Sequence, residues 1–184
     1  AVINDSRKIQ PGCLFICIEG ANFDGHKFAL SAVEMGAAAL VVSKDIDPGI
    51  AEKDVTVIRV ANTRYAMAFI SAAWFGHPAE KLKTIGITGT KGKTTTTYLV
   101  RSILENAGIK CGLIGTIETI IGEEETPADN TTPESYILQE TFAKMVDAGM
   151  QAVVMEVSSQ ALMLHRTQGF IFDYGIFTNL EADH

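Results

Sequence analysis

Short β-branched runs alternate along the chain with longer stretches whose apolar residues recur every three or four positions. Two such cycles follow one another. In the first, the pattern predicts strands over residues 13–18, 39–42 and 55–60, and a helix over 28–35 that ends near Gly36. A second helix over 62–75 carries Ala66, Phe69, Ile70, Ala73 and Trp74 on one stripe, with Asn62 as N-cap and Gly76-His77-Pro78 as its stop. Residues 44–54 form a turn-rich segment holding Pro48-Gly49, and the short polar stretch 78–83 reads as a linker.

The second cycle predicts a strand over 84–88, a helix over 93–106 with Gly108 just past its end, and a strand over 110–116. A hairpin over 118–126 turns at Gly122-Glu123. A further helix starts with Pro133 in its first turn, runs to Ala148 and is closed by Gly149; Thr132 is its expected N-cap. Two more strands cover 151–157 and 174–178. In helix 136–146, Ile137, Leu138, Phe142, Met145 and Val146 read as core, as do Met155, Met163 and residues 170–172. Strands regularly separated by helices imply an α/β fold with a mainly parallel sheet. The expected domains are 1–83, a small α/β unit, and 84–184, part of a second α/β sheet. The polar run 179–184 follows a strand expected to be buried, and the second sheet looks unfinished, so the pattern predicts a piece of a longer protein.

Composition narrows the class. The chain has 184 residues, 47% hydrophobic and 20% charged, which excludes a disordered or collagen-like polymer. A formal net charge of -7 argues against non-specific binding to nucleic acid. No apolar stretch approaches the roughly 18 residues that span a bilayer, and no basic-then-apolar leader opens the chain. Cys13, Cys17 and Cys111 form no disulfide framework, and the CxxxC spacing of the first two is poor zinc geometry, so all three read as buried thiols in a reduced compartment. The expectation is a soluble, cytoplasmic protein.

The strongest chemical signal is Gly89-Thr90-Lys91-Gly92-Lys93-Thr94-Thr95, between strand 84–88 and helix 93–106. Glycines let the backbone approach a ligand closely, successive amides and the helix N-terminus attract phosphate, Lys93 can reach the β and γ phosphates, and Thr94 can ligate magnesium. The general P-loop pattern wants glycine where this chain has Ile87; glycines fall at Gly86 and Gly89 instead. Glu156, at the exit of an apolar strand beside this loop, suits a magnesium ligand better than a solvated strand end. Asp183 and His184 follow strand 174–178 in the same way, with a plain surface loop as an equal reading. Capping accounts for Thr132 but leaves Asn130 and Thr131 unexplained. In the first unit, residues 4–7 and 20–26 flank the first strand and could face one ligand, although two ordinary polar loops fit as well. His26 alone suits a surface or cap residue.

Taken together these pieces resemble the Mur ligases of bacterial peptidoglycan synthesis, and within them the branch that adds the third residue of the peptide. Asn4-Asp5-Ser6-Arg7, Pro11-Gly12-Cys13-Leu14-Phe15 and Asp24-Gly25-His26-Lys27-Phe28 look like the family's opening. The P-loop, Asn130-Thr131-Thr132-Pro133, Glu156-Val157-Ser158-Ser159 and the run from Phe177 through Thr178-Asn179-Leu180-Glu181-Ala182-Asp183-His184 look like its central signatures, in order along the whole chain.

The resemblance implies a UDP-binding domain over 1–83 and the first part of a Rossmann-like ATPase domain over 84–184. It implies an ATP-dependent ligase that phosphorylates the D-glutamyl carboxylate of UDP-MurNAc-L-Ala-D-Glu and couples the acyl phosphate to an amino acid, meso-diaminopimelate or L-lysine. Asn4, Ser6, Ala21, Asn22 and Phe23 would hold the uridine diphosphate. Gly89, Thr90, Lys91, Gly92, Lys93, Thr94 and Thr95 would cradle ATP. Asn130, Thr131, Thr132, Ser158 and Arg166 would contact the muramoyl-dipeptide. Thr94, Glu156 and His184 would hold Mg2+, and Lys93, Glu156 and His184 would serve catalysis. Lys91 stands where the family usually has asparagine, and Gln160 where histidine is common. The chain ends before the family's carbamylated lysine and its C-terminal domain. Two alternatives stay open: another ligase of the superfamily, of folylpolyglutamate or cyanophycin synthetase type, and a non-catalytic module binding nucleotide or UDP-sugar. A GTPase is disfavoured because no Asn-Lys-x-Asp sequence occurs.

Overall fold

The computed structural model describes residues 1–20 and 23–182. It divides into two compact units, Ala1–Met67 and Ala68–His184. Each unit carries its own sheet.

In the first unit β1 (Val2–Ile3), β2 (Leu14–Ile16), β3 (Ala39–Val42) and β4 (Thr56–Arg59) form a wholly parallel sheet in that order. The two-residue β1 lies outside the pattern expected from sequence, being too short to show alternation. A 3-10 turn (Gly25–Phe28) leads into α1 (Ala29–Glu34), so the expected helix 28–35 is a composite. Ala29 and Ala32 pack with Phe15, Cys17, Leu40 and Val42 in one cluster. α2 (Thr63–Trp74) starts as expected: Asn62 Oδ1 accepts from the amides of Arg64 (2.9 Å) and Tyr65 (3.1 Å).

Residues 78–83 are not a solvated linker. Pro78–Lys81 form a 3-10 turn with Pro78 and Ala79 buried, Leu82 joins a core cluster, and Lys83 already belongs to the next strand. Alternating polar and apolar side chains hid a buried edge behind a polar average.

The second sheet runs β10-β5-β9-β6-β7-β8. Its strands are β5 (Lys83–Thr88), β6 (Cys111–Ile114), β7 (Glu118–Ile121), β8 (Glu124–Pro127), β9 (Ala152–Glu156) and β10 (Tyr174–Phe177). The first four in spatial order are parallel, and the expected hairpin supplies the antiparallel pair. Central β9 is buried throughout and packs both ways. Ala152 and Val154 meet Tyr98, Val100 and Leu104 of α3 (Lys93–Asn106), while Val153 and Met155 meet Leu138, Phe142 and Met145 of α4 (Ser135–Asp147). An apolar run with no alternation is what a strand covered on both faces requires.

Some core expectations fail. Ile137, Met163 and Ile171 are 47%, 70% and 91% exposed. Among the described residues β10 pairs with β5 alone, and its Tyr174 and Phe177 are largely exposed. Phe170 and Phe172 do pack on the α4 cluster. The three cysteines are free and buried, and burial pushes the thiols of Cys17 and Cys111 up to about 12 and about 11, so neither is a nucleophile at neutral pH. Among the described residues no helix is long and apolar enough to cross a membrane.

Candidate functional site

β5 ends at Thr88 and α3 begins at Lys93, so four residues reverse the chain. The turn depends on Gly89 (φ 137°) and Gly92 (φ 81°), both in the region that favours glycine. Gly92 is the helix N-cap, and the Thr96 amide donates to its carbonyl (3.0 Å). The amides of Lys93, Thr94 and Thr95 therefore have no carbonyl one turn behind them, and they add to the positive end of the helix dipole. Lys93 Nζ folds over the loop and donates to the carbonyls of Gly89 (2.7 Å) and Thr90 (3.2 Å). A flexible ammonium so placed can exchange carbonyls for phosphate oxygens. Thr94 is half-buried and Thr95 exposed.

Loops leaving the C-terminal ends of β6, β9 and β10 lie at the same end of the sheet, where open α/β sheets bind ligands. Glu156 closes β9 opposite Ile87 of β5 and is 1% exposed, which overturns the solvated strand-end alternative. Its carboxylate is held from the β6 exit: the Thr116 amide donates to Oε1 (2.9 Å) and the Thr116 hydroxyl lies 3.0 Å from Oε2. That hydroxyl is also 3.1 Å from Thr131 Oγ1. Thr116 went unnoticed in the sequence, although the strand-exit rule that singled out Glu156 applies equally to it.

Thr132 is not a helix cap. α4 begins at Ser135 with Glu134 in the cap position. Thr132 is fully buried instead; its hydroxyl donates to the Glu156 carbonyl (2.9 Å) and accepts from the Ser158 amide (3.1 Å). Arg166 donates to the Thr132 carbonyl (3.0 Å) and pairs with Glu134 (2.8 Å), while Ser158 Oγ caps α5 (Ser159–Met163) by accepting from the Ala161 amide. Thr131, Thr132, Glu156, Ser158 and Arg166 thus form one network with Thr116 and Glu134. Asn130 is exposed beside it.

In the first unit Asn4 and Ser6 follow β1, and after β2 the Gly20 amide donates to the Phe23 carbonyl (2.8 Å). β1 and β2 are adjacent and parallel, so both loops leave the same end of that sheet. Ala21, Asn22, Asp183 and His184 lie outside the described residues. His26 is not a surface residue: it is 6% exposed, its Nδ1 donates to Asp24 (2.6 Å), and its Nε2 accepts from the Ser43 amide (3.0 Å). That bonding assigns the proton to Nδ1 and gives His26 a structural task.

Among the described residues no three His, Cys, Asp or Glu side chains gather as a metal cage. A hydroxyl at Thr94 and a carboxylate at Glu156 beside a phosphate loop fit a hard cation that takes most of its ligands from phosphate and water.

Residues 1–75 match the family described as "Mur ligase family, catalytic domain", and residues 87–184 match the "Mur ligase middle domain". A UDP-N-acetylmuramoyl-L-alanyl-D-glutamate--2,6-diaminopimelate ligase of Clostridium perfringens is 51% identical over 98% of this chain and 37% of its own length. The protein of the same name from Listeria monocytogenes is 46% identical over 100% of this chain and 36% of its own length. A solved structure of a ligase so named superposes with a TM-score of 0.84 at 25% identity, covering 100% of this chain and 37% of that one. The chain therefore spans little more than a third of the length of these relatives. Two family matches together cover most of the chain, and they show that it belongs to the Mur ligase family.

Proposed function

We propose that the protein is an ATP-dependent amide-bond ligase that adds the third amino acid, meso-diaminopimelate or L-lysine, to UDP-MurNAc-L-Ala-D-Glu in the cytoplasm. The observation that carries this reading is the convergence of the Gly89–Thr95 loop and buried Glu156 at one sheet end, in a chain 51% identical to a protein named for that step. In this reading residues 1–83 bind the uridine diphosphate through Asn4, Ser6, Ala21, Asn22 and Phe23, and residues 84–184 bind ATP.

The γ-phosphoryl group passes to an oxygen of the D-glutamyl carboxylate and ADP leaves. The amine of the incoming amino acid then attacks the acyl carbon, loses a proton and expels phosphate. Amides at the start of α3 hold the phosphates, and Lys93 follows the charge that develops on the transferring group. Thr94 and Glu156, with His184, would hold Mg2+, which neutralises phosphate charge. Thr116 keeps the Glu156 carboxylate oriented. Asn130, Thr131, Ser158 and Arg166 would contact the dipeptide, and buried Thr132 would hold the segments that carry them.

Calorimetric titration of the folded chain with Mg·ATP, UDP and UDP-MurNAc-L-Ala-D-Glu tests this. Saturable binding of Mg·ATP and of both UDP compounds is expected. Lys93→Ala should weaken Mg·ATP at least about tenfold, a loss of about 1.4 kcal/mol, and leave the UDP compounds unchanged. Nucleotide binding without any UDP response would point to a folate-type ligase, and a folded chain that binds none of them would overturn the reading.

A further inference from the structure

The exit of β10 is tied to the phosphate loop more closely than strand pairing requires. β10 runs parallel to β5 with Phe177 beside Thr88, and the Thr178 amide donates to the Thr88 carbonyl (2.9 Å). Here β5 stops, yet the pairing continues onto the loop. The Thr90 amide donates to the Asn179 carbonyl (3.1 Å). The Asn179 side chain then replaces the missing strand: its Oδ1 accepts from the Lys91 amide (2.9 Å) and its Nδ2 donates to the Lys91 carbonyl (3.0 Å). Thr178 Oγ1 also donates to the Lys91 carbonyl (2.7 Å), and the Glu181 amide donates to Thr90 Oγ1 (2.9 Å). The Lys91–Glu181 ion pair (2.6 Å) lies outside this set with both side chains more than half exposed.

A second observation shows how closely the two segments approach. A Cβ on Gly89 would stand 2.1 Å from Thr178 Oγ1 and 2.9 Å from the Asn179 carbonyl oxygen. Gly89 is needed here to let the β10 exit against the loop, as well as for its backbone angles.

We propose that Asn179 is a positioning residue for nucleotide binding. It clamps Thr90 and Lys91 to the β10 exit, takes their two amides out of the phosphate-facing set, and so leaves the cradle to Gly92 and the first amides of α3. A loop fixed at one end meets phosphate without first losing conformational freedom. The inference rests on the reading of residues 89–95 as a phosphate loop.

The test compares this chain with its Asn179→Ala and Glu181→Gln variants by amide hydrogen exchange resolved at Thr90 and Lys91, and by calorimetry with Mg·ATP. In N179A, exchange at Lys91 should rise at least tenfold and Mg·ATP should bind about tenfold more weakly. E181Q should change both by less than about twofold, because an exposed pair contributes little. If N179A does not fold, Thr178→Val, which removes the other side-chain bond to the Lys91 carbonyl without changing charge, should show the same changes at smaller size. Faster exchange with unchanged affinity would make the clamp merely structural and overturn the proposal. Weaker binding with unchanged exchange would overturn it too, by placing Asn179 on the nucleotide itself. Failure of the unsubstituted chain to bind Mg·ATP would instead sink the phosphate-loop reading, whatever the exchange data show.

Discussion

Thr132 sits where its neighbour Pro133 suggests a helix cap, yet its hydroxyl joins two strand-end backbone groups inside the protein. Thr132→Val keeps the shape and leaves the Ser158 amide without its acceptor. A buried donor stranded in this way costs about 1–3 kcal/mol, so urea denaturation should show a loss of that size, largely restored by Thr132→Ser. Gly89 is the other position where one atom decides. Alanine there would need an unfavourable φ of 137° and would drive a methyl group into Thr178 Oγ1. Gly89→Ala should lower stability by about 1–3 kcal/mol and abolish saturable Mg·ATP binding, read by denaturation and calorimetry on the same preparation. The sequence carried both residues in recognisable motifs. It could not show that they act through partners more than twenty residues away.

At the scale of elements, the 3-10 turn Gly25–Phe28 is pinned by its cap. Burial alone would raise the Asp24 carboxyl, but bonds from the His26 ring, the His26 amide and Lys44 outweigh it and bring the carboxyl down to about 2 from 3.8. A carboxyl depressed by folding stabilises fully above its unfolded value and loses that contribution as pH falls through the folded one. Wild type should therefore exceed Asp24→Asn by about 1–2 kcal/mol above pH 4, and the gap should shrink as pH falls through about 2 and close below it, measured by denaturation across that range. Lys44 also pairs with Glu19 (2.6 Å), a contact that Asp24→Asn leaves in place. Elements with local punctuation were legible in the sequence: α2 from Asn62, α3 from its glycine loop, and the hairpin from Gly122. Elements defined by their neighbours were not. β1 is too short to carry a pattern, and α5 is a single capped turn. The candidate site divides in the same way. Gly89–Thr95 and Glu156 announce themselves by spacing, whereas Thr116, Glu134 and Asn179 acquire meaning only when four strand ends meet.

At the scale of the whole molecule, each unit presents loops from adjacent parallel strand ends, one set flanking β1 and β2 and the other surrounding the phosphate loop. In the proposed function these two sets hold the two nucleotide substrates. Ligation asks for more: the acyl phosphate must be kept from water while an amine is brought to the acyl carbon, and both tasks depend on protein closing around the reacting atoms. The relatives named for this step use chains in which the present one corresponds to about 37% of the length. Binding and turnover should therefore separate in this chain. Supplied with Mg·ATP, UDP-MurNAc-L-Ala-D-Glu and either meso-diaminopimelate or L-lysine, it should bind the two nucleotides and release no ADP above the rate seen without amino acid, followed by a coupled ADP assay. Amino-acid-dependent ADP release would mean that these two units already enclose the acyl phosphate and select the amine, and the division of labour argued here would fail.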